Sequence, residues 1–156
     1  MQKESRRTLS VAQWQQLIEE GLDIPVHIPL HGSSMSPLVR RMRDVVCIRA
    51  FHRDPLPGDI VLFHSYGERY VVHRIWKIRD GKVLTFGDNC ARPDGWCEPE
   101  QILGLVTHVQ RGKWNLSVDN VLNRKLGLIW LYMQPVRSFT WRVLRKIRRI
   151  FGRSRS

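Results

Sequence analysis

No run of about 18 uninterrupted apolar residues occurs anywhere in these 156 residues, which argues against a transmembrane helix. The nearest approach, "LGLIWLYM" at 126–133, is short and is followed by Pro135 and Arg137. Cysteine is scarce. The three present, Cys47, Cys90 and Cys97, are odd in number and form no C-x-x-C pair, so neither a zinc site nor a disulfide framework is signalled. A reducing compartment with free thiols is the expectation, although Cys90 and Cys97 share one loop. Cys47, inside the apolar run "VVCI", reads as a buried small hydrophobe. No secretory signal is expected either, because the charged opening "MQKESRRT" is followed by no apolar h-region. Acidic residues are missing from the C-terminal segment. Residues 124–156 hold ten Lys or Arg and no Asp or Glu, so +10 of the net +12 lies there and the first 123 residues carry only +2.

What is present is ordinary for a folded chain: 42% hydrophobic and 26% charged residues, enough for one domain with an appendage. Residues 10–20, "SVAQWQQLIEE", predict an amphipathic helix, with Ser10 and Gln13 at capping-box spacing and Gly21 to close it. Then come short runs rich in Val, Ile and Phe: "VHIPL", "VVCIRA", "DIVLFH", "RYVVHRIWKI", "KVLTF" and "ILGLVTHV". Turn signals such as "PLPGD" and "RDGK" separate them. The expectation is a mostly β protein: an N-terminal helix over 1–24, a β domain over 25–117 and a helical basic tail over 118–156. On a helical wheel, Val136, Phe139, Val143, Ile147, Ile150 and Phe151 share one face, and Arg137, Arg142, Arg145, Lys146, Arg148 and Arg149 the other. A basic amphipathic helix of this kind points to an anionic membrane surface, and its charge to the cytoplasmic face. Nucleic-acid binding would require no continuous apolar face, so a specific nucleic-acid partner is not expected.

The chemistry begins at "HGSSMSP", residues 31–37, where small and turn-forming residues surround Ser34. A serine hydroxyl becomes a useful nucleophile only when a base accepts its proton. Of the histidines, His27, His31, His52, His64 and His108 read as surface or ordinary core residues. His73 differs. It stands in mid-strand in "YVVHRIW", directly before Arg74, and a polar pair inside an apolar strand requires partners if buried. "FGDNCARPD", residues 86–94, supplies Asp88 and Asp94 in a polar loop after a strand, suited to aiming a carboxylate at an imidazole or to forming an Asx turn.

Taken in order, these segments resemble the signal peptidase I superfamily, in particular its endoplasmic-reticulum-type and archaeal-type branch, over about residues 28–110. "GSSMSP" resembles the serine box, "GDIVLF" the strand after it, and "VVHRI" the base-bearing strand, where this branch has His and bacterial leader peptidases and LexA-type repressors have Lys. "GDNCARPD" followed by "ILGLV" resembles the closing box. The resemblance implies a signal-peptidase/LexA-like β core and a serine endopeptidase acting on a leader or signal-type peptide. Residue by residue, it implies Ser34 as nucleophile, His73 as general base, Asp94 as the group orienting His73, and Asp88 as a supporting residue. Gly32, Ser33, Met35 and Pro37 would shape the oxyanion and substrate region, Met35 by pinning the loop or lining the groove. No cofactor and no metal is implied.

Some positions depart from the family. Gly32 stands where bacterial leader peptidases carry a serine whose hydroxyl helps form the oxyanion hole, leaving backbone N–H groups, with that of Ser34 first, to do so. Arg43 replaces a frequent glycine before the "DVV" strand. The family's N-terminal membrane anchor has no counterpart in the pattern, and only the basic tail looks membrane-seeking. Two alternatives remain at this stage: a LexA-type self-cleaving protein, disfavoured by His in place of Lys, and a non-catalytic module binding membrane or nucleic acid. An unperturbed imidazole would place the rise of activity near pH ~6.5.

Overall fold

The computed structural model describes residues 10–65 and 69–137. The protein is mostly β, a curled antiparallel half-barrel flanked by helices. Helix α1 (Val11–Glu19) precedes strands β1 (Val26–Pro29), β2 (Asp44–Arg49), β3 (Ile60–Ser65), β4 (Arg69–Arg79), β5 (Lys82–Phe86), β6 (Gly95–Cys97), β7 (Ile102–Arg111) and β8 (Trp114–Ser117). Helix α2 (Val121–Tyr132) follows. The strands pair in the order β1-β2-β7-β3-β4-β5-β6, with β8 on β7. Long β7 links the sheet: Ile102–Leu105 pairs with β3, and the stretch through Arg111 pairs with β2. Strands β6 and β8 are short additions that no apolar period in the sequence announces.

Strand β3 explains why the sheet curls around two apolar layers. Ile60–Phe63 is buried on both faces, as its unbroken apolar run requires. Ile60 and Leu62 join Trp14, Met35, Val46, Ile48, Val72, Val106 and Val109 in one layer. Val61 and Phe63 join Ile75, Val83 and Cys97 in the other. Helix α1 closes the first layer. Ser10 and Gln13 form the expected capping box. Trp14 is fully buried, and its indole N–H donates to the Ile24 carbonyl at 2.7 Å. The ring reaches β7 because position 104 is glycine: a Cβ there would stand 2.6 Å from Trp14 Cη2 and 2.7 Å from the Arg49 carbonyl oxygen.

Helix α2 is part of the domain rather than a free appendage. Asn120 caps it by accepting the Asn123 N–H at 2.8 Å, satisfying an otherwise orphan donor. Its first turn is clamped to the β2–β3 connection by charge: Arg53 grips Asp59 at 2.7 and 2.8 Å and Asp119 at 2.7 Å, and Arg124 reaches Asp119 at 3.2 Å. Gly58, at φ 94°, lets the connection pass against this helix, since a Cβ there would lie 2.7 Å from Arg124 Cβ. Among the described residues, no helix is long and apolar enough to cross a membrane.

Substituting Gly104→Ala should lower stability by about 1–3 kcal/mol, the usual penalty for overpacking, because neither the indole nor the β2 backbone can retreat. A urea titration with unchanged slope and a lower midpoint would show it.

Candidate active site

Ser34 sits in the connection from β1 to β2, in a turn closed by Ser36 N–H to Ser33 carbonyl at 3.1 Å and Val39 N–H to Met35 carbonyl at 2.9 Å. The neighbouring Met35 decides the loop's position. It is buried in the first apolar layer, so it pins the turn and does not line the groove. The Ser36–Pro37 peptide is cis. Past Pro37 the exit is held by Arg111, which donates to the Leu38 carbonyl at 2.9 Å and to Asp44 at 2.6 Å, while the Arg40 N–H donates to Asp44 at 2.8 Å. Ser34 is half-buried. Among the described residues its backbone N–H has no hydrogen-bond acceptor, which leaves it available to an oxyanion.

Strand β4 presents His73 and Arg74, and successive strand residues point to opposite faces. Each polar side chain therefore needs its own partner, and the loop after β5 provides one for each. His73 Nδ1 lies 2.7 Å from Asp94 Oδ2, and the Thr85 hydroxyl donates to that same oxygen at 2.8 Å. Arg74, 1% exposed, makes a two-pronged pair with Asp88 at 2.8 Å on each prong. Its remaining nitrogen donates to the Gly58 carbonyl at 2.8 Å and to Asn123 Oδ1 at 3.1 Å. Helix α2 passes so close that a Cβ at Gly127 would fall 2.2 Å from Arg74 Cζ.

Between the two aspartates the loop touches everything else in the site. The Asn89 N–H donates to the Ser34 carbonyl at 2.6 Å, and its side-chain amide donates to the Ser33 carbonyl at 3.3 Å. Cys90 Sγ and His73 Nε2 converge over Gly87, 2.5 and 2.8 Å from where a Cβ would be. The loop thus holds the serine turn on one side and the imidazole on the other. No hydrogen bond joins Ser34 Oγ to His73 directly; such contacts in ligand-free sites often tighten only around substrate. From behind, α2 and the residues after it clamp the loop. Trp130 Nε1–H and Arg137 Nη2 donate to the Asp88 carbonyl at 2.8 and 3.0 Å, and Gln134 donates to the Cys90 carbonyl at 3.1 Å. The Arg137 guanidinium also lies 3.9 Å over the Trp130 ring.

Burial pulls the His73 pKa down, but the hydrogen bond and negative charge of Asp94, with the Cys90 thiol beside it, outweigh burial and raise it to about 9. The imidazole is held as the cation at neutral pH, not poised near its unperturbed value.

A groove of about 480 Å³ opens beside Ser34, lined by Ile28, Leu30, His31, Gly32, Tyr70 and Val72 among others. Of the residues flanking the serine, Gly32 borders this groove, whereas Ser33 contributes its carbonyl to Asn89 and Pro37 lines a separate cleft with Arg74 and Trp130. Of the other histidines, His31 borders the groove, His52 is 3.9 Å from Asp119, His64 packs on Tyr70 and His108 pairs with Thr107. Among the described residues no three His, Cys, Asp or Glu side chains converge as metal ligands. Arg142, Arg145, Lys146, Arg148 and Arg149 lie outside the described residues. Sequence reasoning passed over Thr85, Asn89, Cys90 and the α2 clamp. Only Thr85 left a trace, as a lone hydroxyl in the buried strand "KVLTF".

No family model matches the chain, and no curated protein or solved structure matches it significantly.

The two aspartates should behave differently on substitution. Asp88→Ala strands a buried guanidinium and should destabilise the fold by about 3–5 kcal/mol. Asp94→Ala should leave a folded protein, because Asp94 is itself partly exposed and water entering its place can reach the groups it leaves, Thr85 and His73. Thermal melts of the two variants side by side would show the gap.

Proposed function

We propose that the protein is a serine endopeptidase of the signal peptidase I type, with Ser34 as nucleophile, His73 as general base and Asp94 as the group that orients it. The observation carrying this reading is the 2.7 Å His73–Asp94 contact in a strand otherwise committed to the core, joined through one loop to the serine turn. With Asp94 on Nδ1, the neutral tautomer leaves Nε2 as an acceptor. Ser34 Oγ would attack the peptide carbonyl as its proton passes to Nε2. Asp94 stabilises the imidazolium formed, and the Ser34 N–H faces the developing oxyanion. The imidazolium then protonates the leaving amine, and water, deprotonated by the same ring, hydrolyses the acyl-enzyme. Asp88 contributes by fixing the loop through Arg74 and not by touching the reacting atoms.

The groove supports an extended peptide substrate. Strand β1 is an edge strand of the sheet, so its free backbone groups can pair with a peptide whose apolar side chains enter the groove beside Ser34. A leader or signal-type peptide has that character. The basic segment after α2 supports peripheral attachment to an anionic membrane, on the cytoplasmic face where anionic lipid is concentrated.

Replacing Ser34→Ala or His73→Ala should reduce cleavage at least ~10³-fold without unfolding the protein. New peptide N-termini in membrane and cytosolic fractions incubated with wild type should vanish with both variants. Identical N-terminal profiles for all three proteins would defeat the peptidase reading. The pH profile is a separate test. The base is the neutral imidazole, so kcat/KM should climb as pH rises and bend near about 9, where His73 loses its proton. Asp94→Asn removes the main influence raising that pKa, so the bend should move to lower pH while the rate falls.

A further inference from the structure

We propose that the outer face of α2 is the surface through which the protein docks on an anionic lipid bilayer. The helix has two faces with different fates. Asn123, Gly127, Trp130 and Leu131 face the domain and serve the catalytic loop. On the outside, Leu122, Leu126, Ile129 and Met133 form a stripe at helical spacing and are 67, 55, 55 and 48% exposed. Strand β8 widens this patch: Leu116 lines the same cleft as Leu126, and Trp114, on the same side of the strand, is 75% exposed. An apolar surface of this extent, continuous along a helix, marks a contact surface.

Charge selects the occupant. The charged side chain exposed within the stripe is Lys125, and the sequence from Asn120 to Ser156 contains no acid and ten bases. A second copy would bring the same positive charge against itself. An anionic bilayer offers what this surface lacks, an acyl boundary for the stripe and phosphate groups for the cations, and tryptophan and tyrosine suit the headgroup level. The sequence also keeps the apolar phase: Val136, Phe139, Val143, Ile147 and Ile150 continue the stripe's spacing. The inference rests on the membrane part of the reading above and needs none of its catalysis. It moves the principal contact from the distal cations to the helix that clamps the catalytic loop, so docking would hold that loop beside the lipid surface.

The test uses full-length protein carrying Ser34→Ala, floated with phosphatidylcholine vesicles with or without phosphatidylglycerol. Binding is expected with the anionic vesicles only. Adding Leu126→Glu and Ile129→Glu, both at exposed positions, should weaken it at least ~10-fold while circular dichroism and elution volume stay unchanged. A Leu122→Gln variant, gentler to the fold, should weaken it in the same direction. Equal flotation of all variants would overturn the proposal by leaving attachment to the distal cations alone. Ser34→Ala protein that ignores vesicles but elutes as a dimer, turned monomeric by the glutamates, would overturn it in favour of a second copy. Because binding is read on the Ser34→Ala background, a failed peptidase reading leaves this result untouched.

Discussion

The buried guanidinium of Arg74 is the constraint around which the structure is arranged. An unpaired cation in that position would be intolerable, and five donors in a rigid fork need acceptors from several directions. They come from Asp88, the Gly58 carbonyl and Asn123, that is, from the loop after β5, the β2–β3 connection and α2. A single side chain on β4 thereby joins parts distant in sequence. A buried ion pair of this kind is poor evidence of net stability, because desolvation offsets most of the attraction. Its contribution is geometric: only one placement of the loop satisfies the fork.

His73 benefits from its neighbour's requirement. Once Asp88 is fixed on one face of β4, the remaining residues of the loop must pass the end of the strand, and Asp94 arrives on the other face against Nδ1. Two consecutive residues with opposite orientations are thus served by two aspartates of one loop. The electrostatic result differs between them. The Arg74–Asp88 pair lies out of solvent and acts as a fixed strut. His73 titrates, and its carboxylate holds the proton more tightly than burial releases it. In the proposed reaction a base that strong would accept the Ser34 proton readily when neutral, but it would be neutral in only a small fraction of molecules at neutral pH.

Much of this was legible in the sequence because it took the form of anomalies. A His-Arg pair inside "YVVHRIW" advertises buried partners, and "GDNCARPD" offers carboxylates at the right distance along the chain. The mostly β class followed from short β-branched runs between turn signals. Strands β6 and β8 escaped because "GWC" and "WNLS" are too short to show a period and form by pairing with neighbours already in place. The inward face of α2 escaped for another reason. A wheel separates apolar from polar residues but cannot say which side meets the protein, and here Arg137, drawn on the basic face, lies over Trp130 and bonds the Asp88 carbonyl. Asn89 and Cys90 act through a backbone N–H and through proximity, which no residue pattern encodes.

Gly87 carries a consequence of its own. The imidazole edge and the Cys90 sulfur occupy the space that a side chain at this position would fill. A methyl group there would stand 2.8 Å from His73 Nε2, the nitrogen proposed to accept the serine proton. Alanine there would meet the imidazole and the Cys90 sulfur and not the Arg74 fork on the opposite face, so the scaffold could persist while the imidazole was pushed aside. If the proposed chemistry is right, a lineage that kept this fold but abandoned catalysis would have a one-step route open to it, and the residue at this position would record the loss.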